Sequence, residues 1–141
     1  PVHVKASGLY MICTLSKHDA EAKGYSDALM LDWRDLIAEA TGANIFFKNK
    51  ENELHTPIPD SFLDGITRRT VIEIAKSKNI KINERKIKPE EMSNFTGCFL
   101  TGTAAEVTPV SQISDYAFKI CDLIKELNSS YQNLVRKKSA A

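Results

Sequence analysis

The sequence predicts a mixed α/β domain with one core, and three observations carry that prediction. Stretches with apolar residues at three-and-four spacing alternate with short apolar runs bounded by Gly, Pro and Asn. The most sustained helical stripe, Ala117, Ile120, Cys121, Ile124, Leu127, Tyr131 and Leu134, closes the chain. A length of 141 residues, 43% of them hydrophobic, is enough for one core.

The first helix runs from a Ser7 cap to about Lys23, with Ile12, Leu15 and Ala22 on apolar positions and Gly24 as its stop. The apolar run from Asp27 to Trp33 suits a buried strand, and Arg34-Asp35 a tight turn, since Asp tolerates turn geometry. Ile37–Ala40 and Asn44–Phe47 read as strands, Asn49–Asn52 as a hairpin tip, and Leu54–Thr56 as the returning strand. Pro57 and Pro59 then force a loop.

A second helix is expected from Gly65 to about Lys78, its amphipathic spacing supplied by Ile66, Arg69/Thr70, Val71, Ile74 and Ala75. Ile80 to Ile87 alternates imperfectly, as a half-exposed strand does. Pro89-Glu90-Glu91 opens a short helical turn. Strands at Cys98–Thr101 and Val107–Val110 flank the turn Gly102–Ala105, and Arg136-Lys137-Lys138 reads as a frayed helix end.

Nineteen Lys and Arg against eighteen Asp and Glu leave a net charge of +1, which gives no electrostatic footprint for nucleic acid or an anionic membrane. No apolar run approaches the roughly 18 residues of a spanning helix, and the amino terminus lacks signal-peptide architecture. The expectation is a single cytoplasmic domain. Cys13, Cys98 and Cys121 form no C-x-x-C pair, which argues against a disulfide scaffold or zinc ribbon. His3, His18 and His55 lie far apart, so no metal site is expected.

Nucleotide, metalloprotease and hydrolase motifs are absent. Three local features carry chemistry instead. The helix start at Leu63 to Arg68 offers free backbone N–H groups and a positive dipole end, with Thr67 adding a hydroxyl; an ordinary capped helix would look the same. The turn Thr101 to Ala105 is rich in small residues and hydroxyls, as close approach to a phosphate requires and as a plain strand connection also allows. Glu39 sits among Ile37, Ala38 and Ala40, where a carboxylate is costly unless paired, or faces water from a half-exposed strand. Lys5 has no special local signal.

Four blocks in order, KASGLY at Lys5–Tyr10, AEATGANIFF at Ala38–Phe47, LDGITRRTVIEIA at Leu63–Ala75 and FLTGTAAEVTP at Phe99–Pro109, give the chain its family likeness. It resembles the carboxy-terminal domain of class IV aminotransferases, which carry pyridoxal phosphate, and most closely the branched-chain amino acid aminotransferases. The resemblance implies a mixed sheet forming a partly closed, barrel-like domain with flanking helices, as in D-amino acid aminotransferase-like enzymes. It also implies a single domain over residues 1–141 with the amino-terminal domain absent.

By that resemblance Lys5 matches the lysine linked to the cofactor's aldehyde, and Tyr10 the tyrosine that bonds its phenolic oxygen. Glu39 matches the carboxylate facing the pyridine nitrogen. Gly65, Ile66 and Thr67 match the helix start that holds the phosphate, with Gly102 and Thr103 a second phosphate contact. Thr103, Ala104 and Ala105 correspond to backbone that meets the substrate carboxylate. Schiff-base formation needs a neutral amine, and a carboxylate at the ring nitrogen keeps the ring an electron sink. Lys5 released from the cofactor would be the base that moves the α-proton.

The implied reaction moves an amino group between a branched-chain L-amino acid and 2-oxoglutarate, with no nucleic acid or membrane partner. The turn Gly102-Thr103-Ala104-Ala105 favours the branched-chain group over D-amino acid aminotransferases, which carry a more hydroxyl-rich turn; aminodeoxychorismate lyases are the third relative. Four residues precede Lys5, where relatives have a whole domain that supplies a phosphate-gripping arginine and much of the substrate pocket. The expectation is therefore an incomplete active-site wall, inactive alone. The alternatives are a remnant that binds phosphate or cofactor without transamination, or an assembly role. Apolar surface around Val2, Val4 and Leu9 is expected to drive self-association or pairing with an amino-terminal chain. Asp35 stands where many relatives have a turn glycine.

Overall fold

Phe46 and Phe47, adjacent on one strand, point to opposite faces of the sheet and seed two separate apolar layers. The computed structural model describes residues 3–136. A 3₁₀ turn at Ser7–Tyr10 leads into α1 (Met11–Ala22). A short ladder of β1 (Leu29–Leu31) and β2 (Ile37–Ala40) follows, then β3 (Asn44–Lys48) and β4 (Leu54–Thr56). α2 (Ile66–Ser77) crosses to β5 (Ile82–Glu84), which lies parallel to β4. After a 3₁₀ segment at Pro89–Asn94 come β6 (Gly97–Gly102), β7 (Glu106–Val110), the small ladder β8 (Gln112–Ile113) and β9 (Tyr116–Ala117), and α3 (Asp122–Val135).

The main sheet runs β5-β4-β3-β6-β7, antiparallel except at β4–β5, and does not close into a barrel. On one face, Phe46, Leu54 and Phe99 pack under Val71 and Ala75 of α2 and Ile124 and Leu127 of α3. Phe46 and Phe99 stack with centroids 4.9 Å apart. On the other face, Ile45, Phe47 and Cys98 meet Ile37, Ile87, Met92, Phe95 and Phe118. Coverage of both faces explains why every residue of β3 is buried.

The helices and strands stand in the expected order, with four differences. Ser7 does not cap the first helix: the chain passes from the 3₁₀ turn into α1, and Ile12 and Leu15 are exposed while Ala20 is buried. The Asp27–Trp33 run is not a buried strand. Only Leu29–Leu31 pairs, and Leu31 and Trp33 face solvent because the ladder packs on one side only. Ile66 is exposed too; the buried stripe of α2 is Thr67, Arg68, Val71, Ile72 and Ala75, one position round from the sequence expectation. Finally, Ala117 and Ile120 precede α3, because β8 and β9 form a hairpin first; Ser114, in its turn, has φ of 49°. Asp35 adopts φ of 57°, a left-handed conformation that Asp tolerates better than most side chains. Val2, Lys137 and Lys138 lie outside the described residues.

Candidate active site

The amino-terminal 3₁₀ turn, β2, the start of α2 and the β6–β7 turn converge on one cavity of about 390 Å³. Lys5, Tyr10, Glu39, Gly65, Ile66, Thr67, Gly102 and Thr103 all line it. These eight come from four separated stretches of chain. Ala104 and Ala105 lie further along the turn, outside the lining. A wider groove of about 880 Å³ between α1 and β7–β8 holds none of them.

Lys5 is exposed at the mouth and Tyr10 is half-buried at the end of the 3₁₀ turn, which an Ala6 carbonyl to Leu9 amide bond of 3.1 Å stabilises. Glu39 lies on β2 opposite Met30 and is half-buried between Ala38 and Ala40. Burial pushes its carboxyl up to about 7, because desolvation disfavours the charged form. The thiol of Cys13, also on the cavity wall, is raised first by burial and then by the negative charges of Glu39 and Asp27.

The sequence reading missed Asn44, the residue that ties this wall together. Its Nδ2 donates to Glu39 Oε2 at 3.1 Å and to the Leu63 carbonyl at 2.8 Å, while its Oδ1 accepts from the Gly65 amide at 3.1 Å. A Cβ on Gly65 would fall 2.5 Å from Asn44 Oδ1, so a larger residue there would push that carboxamide aside. A buried carboxamide at the head of an apolar strand must find partners, and that signal was present in Asn44-Ile45-Phe46-Phe47.

No side chain caps α2, which leaves its first-turn amides free of the intramolecular acceptor most helices supply. With twelve residues behind them, these amides and the helix dipole favour an anion. The Thr67 hydroxyl is buried and lies 3.4 Å from Tyr131 Oη of α3. Thr101, the first residue of the turn singled out from the sequence, is fully buried on the cavity wall with an unpartnered Oγ1.

Two clamps brace the loops around this wall. Arg34 bridges Asp32 and Asp60, both held below the usual carboxylate range by its guanidinium. Arg68, 1% exposed, pairs with Asp64 and Glu84 at 2.8 Å each and donates to the Pro57 carbonyl at 3.0 Å. Among the described residues no group of His, Cys, Asp or Glu could hold a metal ion, and no helix is long and apolar enough to cross a membrane.

The family model for class IV amino-transferases matches residues 2–113. This chain belongs to the class IV aminotransferase family. As a class IV aminotransferase domain it is similar to a protein of Rickettsia felis named a probable branched-chain-amino-acid aminotransferase. The two are 44% identical over 96% of this chain and 48% of the relative. The branched-chain aminotransferase of Thermoproteus uzoniensis, solved with norvaline, superposes with a TM-score of 0.93 at 35% identity. The match covers 99% of this chain and 47% of that one. The branched-chain amino acid aminotransferase of Thermobaculum terrenum, solved in its PLP-form, gives a TM-score of 0.91 at 32% identity, over 96% of this chain and 45% of that one. The chain spans about half the length of the curated relatives it matches.

Proposed function

We propose that this class IV domain is the cofactor-binding half of a cytoplasmic transaminase. It moves an amino group between a branched-chain L-amino acid and 2-oxoglutarate, with pyridoxal phosphate as cofactor. The observation that carries the reading is the convergence of Lys5, Tyr10, Glu39, the open α2 start and the Gly102–Thr103 turn on one cavity. The donor set fits the group. An amine suits an aldehyde, a phenol a phenolate, an apolar-walled carboxylate a pyridinium and uncapped amides a phosphate. The unpartnered Thr101 hydroxyl agrees with an occupant.

When bound, the cofactor supplies the electron sink that stabilises negative charge at the substrate's α-carbon. Glu39 would give its proton to a ring nitrogen, and its low-polarity surroundings would strengthen the resulting ion pair. Asn44 holds that carboxylate and the α2 start in fixed relation. The amides at Ile66 and Thr67 and the turn at Gly102–Thr103 would hold the phosphate and so anchor the ring without a buried cation from this half. Lys5 Nζ would bind the aldehyde carbon and, once freed by the incoming amino acid, would take the proton from the substrate α-carbon and pass it on to the cofactor side. Thr103, Ala104 and Ala105 present backbone to the substrate carboxylate.

Turnover requires an amino-terminal half, because the cavity is open on the side of Lys5 and Ile66 and an arginine for the phosphate is not among its lining residues. Met11, Ile12 and Leu15 expose an apolar α1 face of the kind that a partner chain, or a second copy, covers. The test is absorbance of the chain with added pyridoxal phosphate, then borohydride reduction and peptide mapping. A visible band with label confined to Lys5 is expected, together with transamination only when an amino-terminal half is added. Label scattered over many lysines would overturn the site assignment, and steady conversion of 2-oxo acids by the chain alone would overturn the need for a partner. Cofactor binding with no rescue by the other half would favour the non-catalytic remnant.

A further inference from the structure

The turn between β6 and β7 is held from outside the cavity by one face of α3. Gly102 and Glu106 pair across the base of the hairpin, leaving Thr103, Ala104 and Ala105 as its tip. Glu106 has φ of 50°, left-handed backbone that a non-glycine residue adopts only when something holds it. Its carboxylate reaches α3, where it accepts from Gln132 Nε2 and from Arg136 at 2.7 Å. One residue on, the Val107 carbonyl accepts from Asn128 Nδ2 at 2.5 Å. Asn128, Gln132 and Arg136 are spaced by four, so they form a single polar stripe along the helix.

Beside that stripe, Tyr131 meets Thr67 in the first turn of α2. The same helix therefore touches both backbone segments that face the cavity, the α2 start and the β6–β7 turn. On its other side the turn is pressed against the β2–β3 connection, where a Cβ on Gly102 would meet the Gly42 carbonyl at 3.3 Å. Neither Glu106 nor any of the three stripe residues lines the cavity, so whatever they do there is done through the turn.

We propose that Glu106, tethered by Gln132 and Arg136, is a positioning residue that sets the turn Gly102–Ala105 at the spacing from α2 at which both segments grip one phosphate. The inference rests on the reading of this cavity as a phosphate-ester cofactor site. Backbone amides bind a phosphate through short, direction-dependent hydrogen bonds, so a turn free to drift loses them without any contact residue changing.

The test titrates the chain with pyridoxal phosphate and with pyridoxal, in wild type, in Glu106→Gly and in the double variant Gln132→Ala/Arg136→Ala. Glycine adopts the left-handed conformation freely, so Glu106→Gly removes the tether without adding backbone strain and keeps the protein folded. In both variants affinity for pyridoxal phosphate is expected to fall about tenfold, the worth of one charge-assisted bond, while affinity for pyridoxal stays put. A loss confined to the phosphorylated ligand is a readout that general destabilisation would not give. Amide hydrogen exchange without ligand supplies the second measurement, with faster exchange expected at Gly102–Ala105 and unchanged exchange in α2. Retention of the phosphate preference in Glu106→Gly would overturn the proposal. Absence of that preference in wild type would instead overturn the cofactor reading on which it rests.

Discussion

Asn44 donates to Glu39 across the turn between β2 and β3, Nδ2 to Oε2 at 3.1 Å, with the same carboxamide accepting from Gly65 at the head of α2. One side chain thus couples the acid of the cavity to its anion-binding helix. Asn44→Ala leaves the Leu63 carbonyl, the Gly65 amide and Glu39 short of a partner. The expected loss is about 2–3 kcal/mol of stability, the cost of stranding buried polar groups. Urea denaturation measures it, and a loss below about 0.5 kcal/mol would show that water replaces the carboxamide.

Gly65→Ala places a methyl group 2.5 Å from Asn44 Oδ1 and forces that side chain away. About 1–3 kcal/mol is expected for such overpacking. In an Asn44→Ala background the clash disappears, so the second substitution should cost far less there than in wild type. Additive losses in the four-protein cycle would mean that the two residues do not act as a pair.

Glu39 carries a pH signature. Its carboxyl rises from an ordinary 4.5 in the unfolded chain to about 7 in the folded one. Between those values the folded state binds the extra proton. The stability from this group is therefore full below pH 4.5 and is lost as pH rises through about 7. Glu39→Gln removes the dependence, so the variant should match wild type near pH 4 and exceed it at about pH 8. Melting temperatures of both proteins across that range decide the matter; a variant less stable than wild type at the alkaline end would reverse the sign. Binding of a cation in the cavity should flatten the wild-type slope, because it keeps the carboxylate ionised.

Arg68 is a buried cation with two carboxylates and a carbonyl around it. Arg68→Ala strands them and is expected to cost about 3–5 kcal/mol in denaturant unfolding. Arg68→Met, which keeps the packing and removes only the charge, should cost less. Equal losses would place the effect in volume rather than in the ion pairs.

The order of helices and strands could be read from residue spacing, and so could the β3, β4, β6 and β7 strands, because turn residues bracket each of them. What spacing could not supply was orientation. The stripe of α2 turned by one position because Arg68, polar by type, is buried by its partners, while Ile66 is left at the cavity mouth. The β8–β9 hairpin was hidden inside an apolar spacing that Ala117 and Ile120 share with a helix by coincidence.

Glu39, the α2 start and the Thr101–Ala105 turn stood out locally, but Lys5 and Tyr10 were legible only through family likeness, since with Glu39 they are dispersed over about 35 positions and carry no joint pattern. Asn44 escaped even so. Its role comes from hydrogen bonds between elements distant in sequence.

Trp33 is the only tryptophan of the chain, 75% exposed, with the Arg34 guanidinium 4.4 Å from the ring centroid. Its chain neighbours Leu31 and Asp32 stand on the cavity wall. Indole emission in this protein therefore reports on the rim rather than on the core. Unfolding should shift its wavelength little, since the ring is already in water. Anything that settles over the rim should move it to the blue, and a chromophore held in the cavity should quench it by energy transfer. A single optical channel can thus follow occupancy of the site while circular dichroism follows the fold.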